Sequence, residues 1–344
     1  MRPSEAASGR WTFVLPKWSD RPSGGNVYNE SLLEALSRFA GVATLAADGF
    51  RNAVLQGAPG NYLVDTLDLD ASDVIESRAP GQRFVLVVHF LPSLDPDRTP
   101  SDVDLLRERS ALRRFDAFVV TSAFTRAHLE RLGLPPERIV IVRPATEAAP
   151  GPFVPLTLPI RSLVVGNLIA LKGIAELLGC LDARTRPGDA YALDVFGRSD
   201  IDPAHALACT DLVARSAALA ARVTFRGAVP HADLARELDR AHVFVSASRM
   251  ETFGLALAEA RARGVFALAV DGGNAAEHVA GGAGLLFPTV PALADGLLEL
   301  VRDPGRLDAL RRQARAAPRL VGTWDDAARM LAAELERVLG AIAP

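Results

Sequence analysis

Glu251 and Glu259 stand eight positions apart in "METFGLALAEA", residues 250–260, around Phe253 and Gly254. Two carboxylates, an aromatic ring and a glycine meet there at the junction of a polar fragment and an apolar run, a combination able to hold hydroxyls and phosphates. If the apolar run is a helix, its first backbone N–H groups have no internal partner and its dipole favours negative charge. Gly254 lets a ligand approach the backbone closely and Leu255 opens the helix, so Phe253, Gly254 and Leu255 make an entrance suited to a diphosphate. Eight residues rise about 12 Å along a helix, which puts Glu251 at the mouth of a cleft and Glu259 two turns in. One carboxylate could then accept from a ribose and the other from a sugar hydroxyl. An arbitrary pair of glutamates in such a stretch is usually a loop carboxylate and a solvated helix residue. Glu259, however, is framed by Leu257, Ala258 and Ala260, an awkward setting for an acid without hydrogen-bonding partners.

A second group lies upstream in "LVVGNLIALKGIAELL". Lys172 follows a strand pattern and precedes Gly173 and a helix, where an ammonium can neutralise a leaving diphosphate as charge builds. Near the start, Gly24 and Gly25 follow the first strand pattern and could form a turn that brings backbone N–H groups to donor phosphates or to an acceptor. His89 ends the apolar run "FVLVVH", while the other five histidines lie in helical or loop stretches without such company. Gly272, Gly273 and Glu277 follow "VFALAV" and would shape a wall beside a nucleotide.

The elements that must hold these residues come from alternation. β-rich runs alternate with Ala/Leu/Arg-rich amphipathic stretches along nearly the whole chain, the pattern of repeated βα units around parallel sheets. Strands are expected at "WTFVLP", "GVATLA", "NYLVDTL", "FVLVVHF", "DAFVVTS" and "RIVIV" in the first part, and at "RSLVVGN", "YALDVFG", "RVTFRG", "HVFVSAS" and "VFALAV" in the second. The proline-rich segment "PATEAAPGPFVPLTLP" between them reads as a linker. Residues 1–150 are therefore expected to form one domain and 151–322 another. Residues 323–344 read as a long final helix opened by a Thr cap and acidic first-turn residues. Two doubly wound domains in tandem would face a central cleft, with ligands at the carboxyl ends of the strands.

Composition narrows the classes. A chain of 344 residues can bury two cores. No apolar run reaches the roughly 20 residues of a membrane helix. The opening residues lack the apolar core of a secretion signal, so a cytoplasmic location is expected. A net charge of −3 supplies no basic face for nucleic acid. Cys180 and Cys209 are too far apart in sequence for a C-x-x-C site. Neither a metal nor a cofactor is expected.

"SRMETFGLALAEARARG" followed by "AVDGGNAAEHVAGGAGLLF" resembles the nucleotide-sugar site of family 4 retaining glycosyltransferases of GT-B fold, whose E-x7-E motif Glu251 and Glu259 match. "LVVGNLIALKGIAELL" is similar to that family's V-G-x5-K-G element, with Gly166, Lys172 and Gly173 in place, and "ARVTFRGAVPHADLARELDRAHVFVSAS" to the segment leading into the acidic loop. "LPKWSDRPSGGNVYNESLLEAL" resembles its Gly-Gly loop and following helix, "VVHFLPSLDP" its strand-end histidine, and "TWDDAARML" its last helix, which crosses back to the first domain. The likeness covers nearly the whole chain. It is strong over 160–290 and looser before 100.

The resemblance implies two Rossmann-like doubly wound domains and transfer of a sugar from a UDP- or GDP-sugar with retained configuration. His89, Lys172 and Glu251 would be the catalytic residues. Gly24, Gly25, Gly166, Asn167, Lys172, Gly173, Phe253, Gly254, Leu255 and Glu259 would bind the donor. Many relatives carry arginine where this chain has Asn167, a position for which Lys172, Arg249 or Arg198 would compensate. The acceptor stays open among a small molecule, a polysaccharide and a lipid-linked compound, and so does peripheral contact with the inner face of a membrane. Two other readings stand beside transfer: a hydrolase or epimerase of the same fold, and a catalytically silent sugar-nucleotide-binding subunit.

Overall fold

A computed structural model describes residues 11–15, 23–96, 99, 101–146, 151–318 and 322–341. The chain splits into two compact units, Met1–Ala145 with Val321–Pro344, and Thr146–Leu320. The loop after the first strand (16–22), three positions of the "HFLPSLDPDRTP" loop (97, 98 and 100) and the middle of the linker (147–150) lie outside the described residues.

The first unit is a six-stranded parallel sheet in the order β2-β1-β3-β4-β5-β6. Its strands are β1 (Trp11–Leu15), β2 (Val42–Ala46), β3 (Gly60–Asp65), β4 (Gln82–Val88), β5 (Ala117–Val120) and β6 (Ile139–Ile141). The helices between them are α1 (Gly24–Ser37), α2 (Ala47–Leu55), α3 (Val103–Leu112) and α4 (Ala123–Arg131). β4 from Phe84 to Val88 and all of β5 are apolar and buried, as strands covered on both faces must be.

The second unit has strands β7 (Ile160–Val165), β8 (Tyr191–Phe196), β9 (Val223–Gly227), β10 (Val243–Ser246), β11 (Phe266–Val270) and β12 (Gly284–Phe287). Helices α5 (Ile174–Arg184), α6 (Pro203–Arg215), α7 (Ala217–Ala220), α8 (His231–Arg240), α9 (Leu255–Ala262), α10 (Ala275–Val279), α11 (Val290–Arg302) and α12 (Pro304–Ala316) connect and flank them. The order β12-β11-β10-β7-β8-β9, counted from β7 as strand one, is the 3-2-1-4-5-6 order of the doubly wound fold. Eleven strands fall on the expected runs. β12 was not among them: "GLLF" is short, half-exposed and on the edge of the sheet.

The last helix, α13 (Trp324–Ala341), returns to the first unit. Thr323 accepts from the Asp326 N–H at 3.1 Å while its hydroxyl donates to the Asp326 carboxylate at 2.7 Å, a reciprocal cap. The buried face, Ala328, Leu331, Leu335 and Val338, joins the core of Phe13, Leu32 and Val119. Trp324 meets Tyr28 of α1 edge-on, with centroids 5.7 Å apart. Among the described residues no helix is long and apolar enough to cross a membrane.

Candidate active site

In sheet order β7 stands between β8 and β10, so the chain leaves β7 in one direction and reaches β10 from the other. At such a switch point the loops past the carboxyl ends of the two strands diverge and leave a crevice for a ligand. Those two loops carry Lys172, after β7, and Glu251, after β10. They are laced together. The Arg249 N–H donates to the Leu171 carbonyl at 2.9 Å, and Lys172 Nζ donates to Glu251 Oε1 at 2.7 Å. The side chains of Lys172 and Glu251 are 26% and 17% exposed, so the pair is sheltered but reachable.

Both helices that start from these loops begin on a left-handed glycine with no side-chain cap: Gly173 before α5, at φ 63°, and Gly254 before α9, at φ 89°. Helices α1, α3, α4, α6, α11 and α12 are instead capped by Ser, Asp or Thr oxygens. A side chain at Gly173 would collide with the Ala247 carbonyl oxygen, 2.2 Å from where its Cβ would sit. Two helix starts whose first-turn N–H groups no cap residue claims suit an anion. Leu255 is the first residue of α9. Gly166 lies under the stem of Lys172, its absent Cβ 3.3 Å from Lys172 Cγ and Cδ. The Asn167 amide oxygen accepts from the Arg198 N–H at 3.1 Å and so ties the β7 loop to the β8 loop. The Arg198 guanidinium pairs with Asp200.

The acidic loop is also pinned from below. Glu251 bridges Gly273 in parallel fashion, its carbonyl accepting from the Asn274 N–H at 2.7 Å. Phe253 is buried, and its carbonyl accepts from Asn274 Nδ2 at 3.1 Å and from His278 Nε2. The Phe253 and His278 rings meet edge-on at 4.8 Å. Burial holds the His278 imidazole below its ordinary range, against the pull of the Phe253 carbonyl it donates to. Glu259 does not face bulk water. Its side chain is 12% exposed, and Oε1 is bonded to His231 Nε2, the first residue of α8, at 2.8 Å. That bond raises the His231 pKa, opposed by partial burial and by Arg263.

In the first unit the structure corrects one expectation. Gly24 and Gly25 do not form a turn; they are the first two residues of α1, because Ser23 caps the helix by accepting from the Asn26 N–H at 3.1 Å. Gly25 lies against the His89 ring, 3.1 Å from where a Cβ would sit. His89 follows the last residue of β4 and is 13% exposed, its N–H donating to Thr66 Oγ1 at 3.2 Å. His89 Nε2 faces Asn29 Oδ1 at 2.8 Å and Asp65 Oδ2 at 3.3 Å, and Asn29 Nδ2 donates to Asp65 Oδ2 at 2.5 Å. Two acceptors facing Nε2 place a proton there. Burial alone would push the Asp65 carboxyl up, but His89, the Leu67 N–H and Asn29 outweigh it and hold the group below its ordinary value.

The predicted site residues thus fall into three contacts. Gly166, Asn167, Lys172, Gly173 and Glu251, with Phe253, Gly254 and Leu255, gather on the two switch-point loops. Glu259 is joined to His231. Gly24, Gly25 and His89 belong to the first unit. Sequence reasoning passed over Asn29, Asp65, Asn274, His231 and His278, and for the last two the structure overturns the view that the remaining histidines lack company. An acid at the carboxyl end of "NYLVD" was the one available signal for Asp65.

Residues 157–317 match the family model of glycosyl transferases group 1, and residues 21–145 match that of the glycosyl transferase 4-like domain. The two-sheet fold and these matches define a glycosyltransferase of GT-B architecture. The chain belongs to family 4 of that class. No curated protein matches the sequence. Among solved structures, a sucrose-phosphate synthase from Thermosynechococcus elongatus superposes with a TM-score of 0.79 at 19% identity, over 97% of this chain and 100% of that one. Anabaena Alr3699/HepE, solved in complex with UDP-glucose, gives 0.74 at 15% identity over 96% and 100%. A glycosyltransferase from Rickettsia africae gives 0.63 at 13% over 98% and 100%. At these identities the likeness speaks for the fold.

Proposed function

We propose that the protein transfers a glycosyl group from a nucleoside-diphosphate sugar, a UDP- or GDP-sugar, to an acceptor with retained anomeric configuration. The observation that carries this reading is the 2.7 Å contact of Lys172 with Glu251 across the two switch-point loops, beside helix starts that carry no side-chain cap. The diphosphate lies against the first turns of α5 and α9, where backbone N–H groups and the helix dipoles favour its charge. Lys172 adds a mobile cation as the bond from the anomeric carbon to the phosphate oxygen breaks. Glu251 positions the transferred sugar and Glu259 accepts from the ribose. The acceptor hydroxyl bonds to the anomeric carbon on the face the nucleotide leaves, and its proton passes to the leaving phosphate oxygen. Neutralisation by Lys172 and the helix starts makes a divalent metal unnecessary. The acceptor is a small molecule, a polysaccharide or a lipid-linked compound met in the cytoplasm or at the inner face of a membrane.

The test is a thermal-shift screen against UDP-, GDP- and ADP-sugars, since a ligand bound by the native state alone raises its stability. Release of nucleoside diphosphate is then followed with and without candidate acceptors. Stabilisation by one donor series and acceptor-dependent release are expected. Full turnover without acceptor would replace transfer by hydrolysis, and no stabilisation by any donor would overturn the reading.

A further inference from the structure

We propose that His231 is a positioning residue for donor binding: it holds Glu259 Oε1 so that Oε2 is presented to the vicinal hydroxyls of the donor ribose. This rests on the reading of Glu259 as the ribose acceptor. Glu259 Oε1 is bonded to His231 Nε2 at 2.8 Å, and among the described residues Oε2 accepts no hydrogen bond. A carboxylate with one oxygen clamped and the other open is oriented before the ligand arrives, and such preorganisation strengthens the hydrogen bonds then formed. The clamp comes from outside the acidic loop. His231 opens α8 in the segment after β9, whereas Glu259 sits on the second turn of α9, and Leu234 and Leu238 of the one helix and Leu257 and Ala260 of the other belong to the same apolar cluster.

The His231 ring is 63% exposed while the Glu259 side chain is 12% exposed. Removing the imidazole therefore takes little from the core and acts mainly on the carboxylate. Two charged groups act on His231 in opposite senses, Glu259 of α9 and Arg263 just after that helix.

The experiment titrates UDP, GDP and ADP into the full chain, then repeats the tightest with its 2′,3′-dideoxy counterpart. Wild type, His231→Ala, His231→Gln and Glu259→Ala are compared. Wild type is expected to bind the ribonucleotide more tightly than the dideoxy form. His231→Ala should weaken the ribonucleotide about tenfold, as befits one charge-assisted hydrogen bond, and leave the dideoxy form unchanged. His231→Gln, which keeps a donor, should restore most of the loss, and kcat with donor and acceptor should change less than the donor KM. Equal loss for both nucleotides, or no loss, in His231→Ala overturns the proposal. If Glu259→Ala fails to erase the preference for ribose in the same titrations, the ribose role of Glu259 falls, and the positioning role falls with it.

Discussion

Gly173→Ala tests whether the packing of the two switch-point loops is what places Lys172. Gly173 has φ 63° and ψ 13°, a left-handed conformation that costs a residue with a Cβ about 1–2 kcal/mol. The added carbon would also sit 2.2 Å from the Ala247 carbonyl oxygen and 3.1 Å from its carbon. The first distance is about 1 Å inside ordinary contact, so the end of β10 or the turn at 170–172 must move. That turn carries Lys172, and its Leu171 carbonyl holds the Arg249 N–H. Strain and displacement together should cost about 2–4 kcal/mol of stability. A shift of similar size at Lys172 should lower nucleoside diphosphate release at least tenfold, since about 1.4 kcal/mol of transition-state stabilisation is a factor of ten. Gly179→Ala is the control: it lies in the same helix with open space around the added carbon, and should stabilise by about 0.5–1 kcal/mol. Urea unfolding and product release on both variants decide the matter. Wild-type stability and rate in Gly173→Ala would refute the reasoning.

Glu259→Ala should weaken donor binding more than tenfold while changing kcat less, read from donor KM and kcat in acceptor-saturated assays; about 1.5–3 kcal/mol is at stake in a hydrogen bond to a charged group. Asp65→Asn should destabilise by about 1–3 kcal/mol at neutral pH, because the buried carboxylate accepts from Leu67 N–H, Asn29 and His89. Its folded pKa is depressed below 3.8, so the ionised form contributes stability above that value and the contribution is lost as pH falls through the folded pKa. The gap between wild type and Asp65→Asn should therefore narrow in urea titrations below about pH 4, and a gap independent of pH would contradict the assignment.

Much of the fold could be read from the chain because each buried strand is an apolar run bounded by turn residues, and each helix shows its face. β12 escaped because its apolar run, "GLLF", is only four residues long and sits at the sheet edge. The Gly-Gly pair misled because Ser23, the residue that decides between a turn and a helix start, acts through a hydrogen bond to Asn26 that glycine composition does not reveal. The donor-side motif was legible because its residues lie close in sequence and in type. The supporting contacts were not: Asp65 reaches Asn29 and His89 across 36 and 24 positions, and His231 reaches Glu259 across 28. Such pairings follow from strand order, which places loops side by side without leaving a spacing to read.

The most direct measurement of the central claim is calorimetric titration of the nucleoside diphosphate of the preferred donor into wild type and Lys172→Met, with and without EDTA. Removing the ammonium leaves Glu251 without its partner and the diphosphate without its cation, a loss of about 1.5–3 kcal/mol in the charge-assisted contact. The account predicts binding that survives EDTA in wild type and weakens at least tenfold in Lys172→Met. Equal affinity in the two proteins, or binding abolished by EDTA, would contradict it.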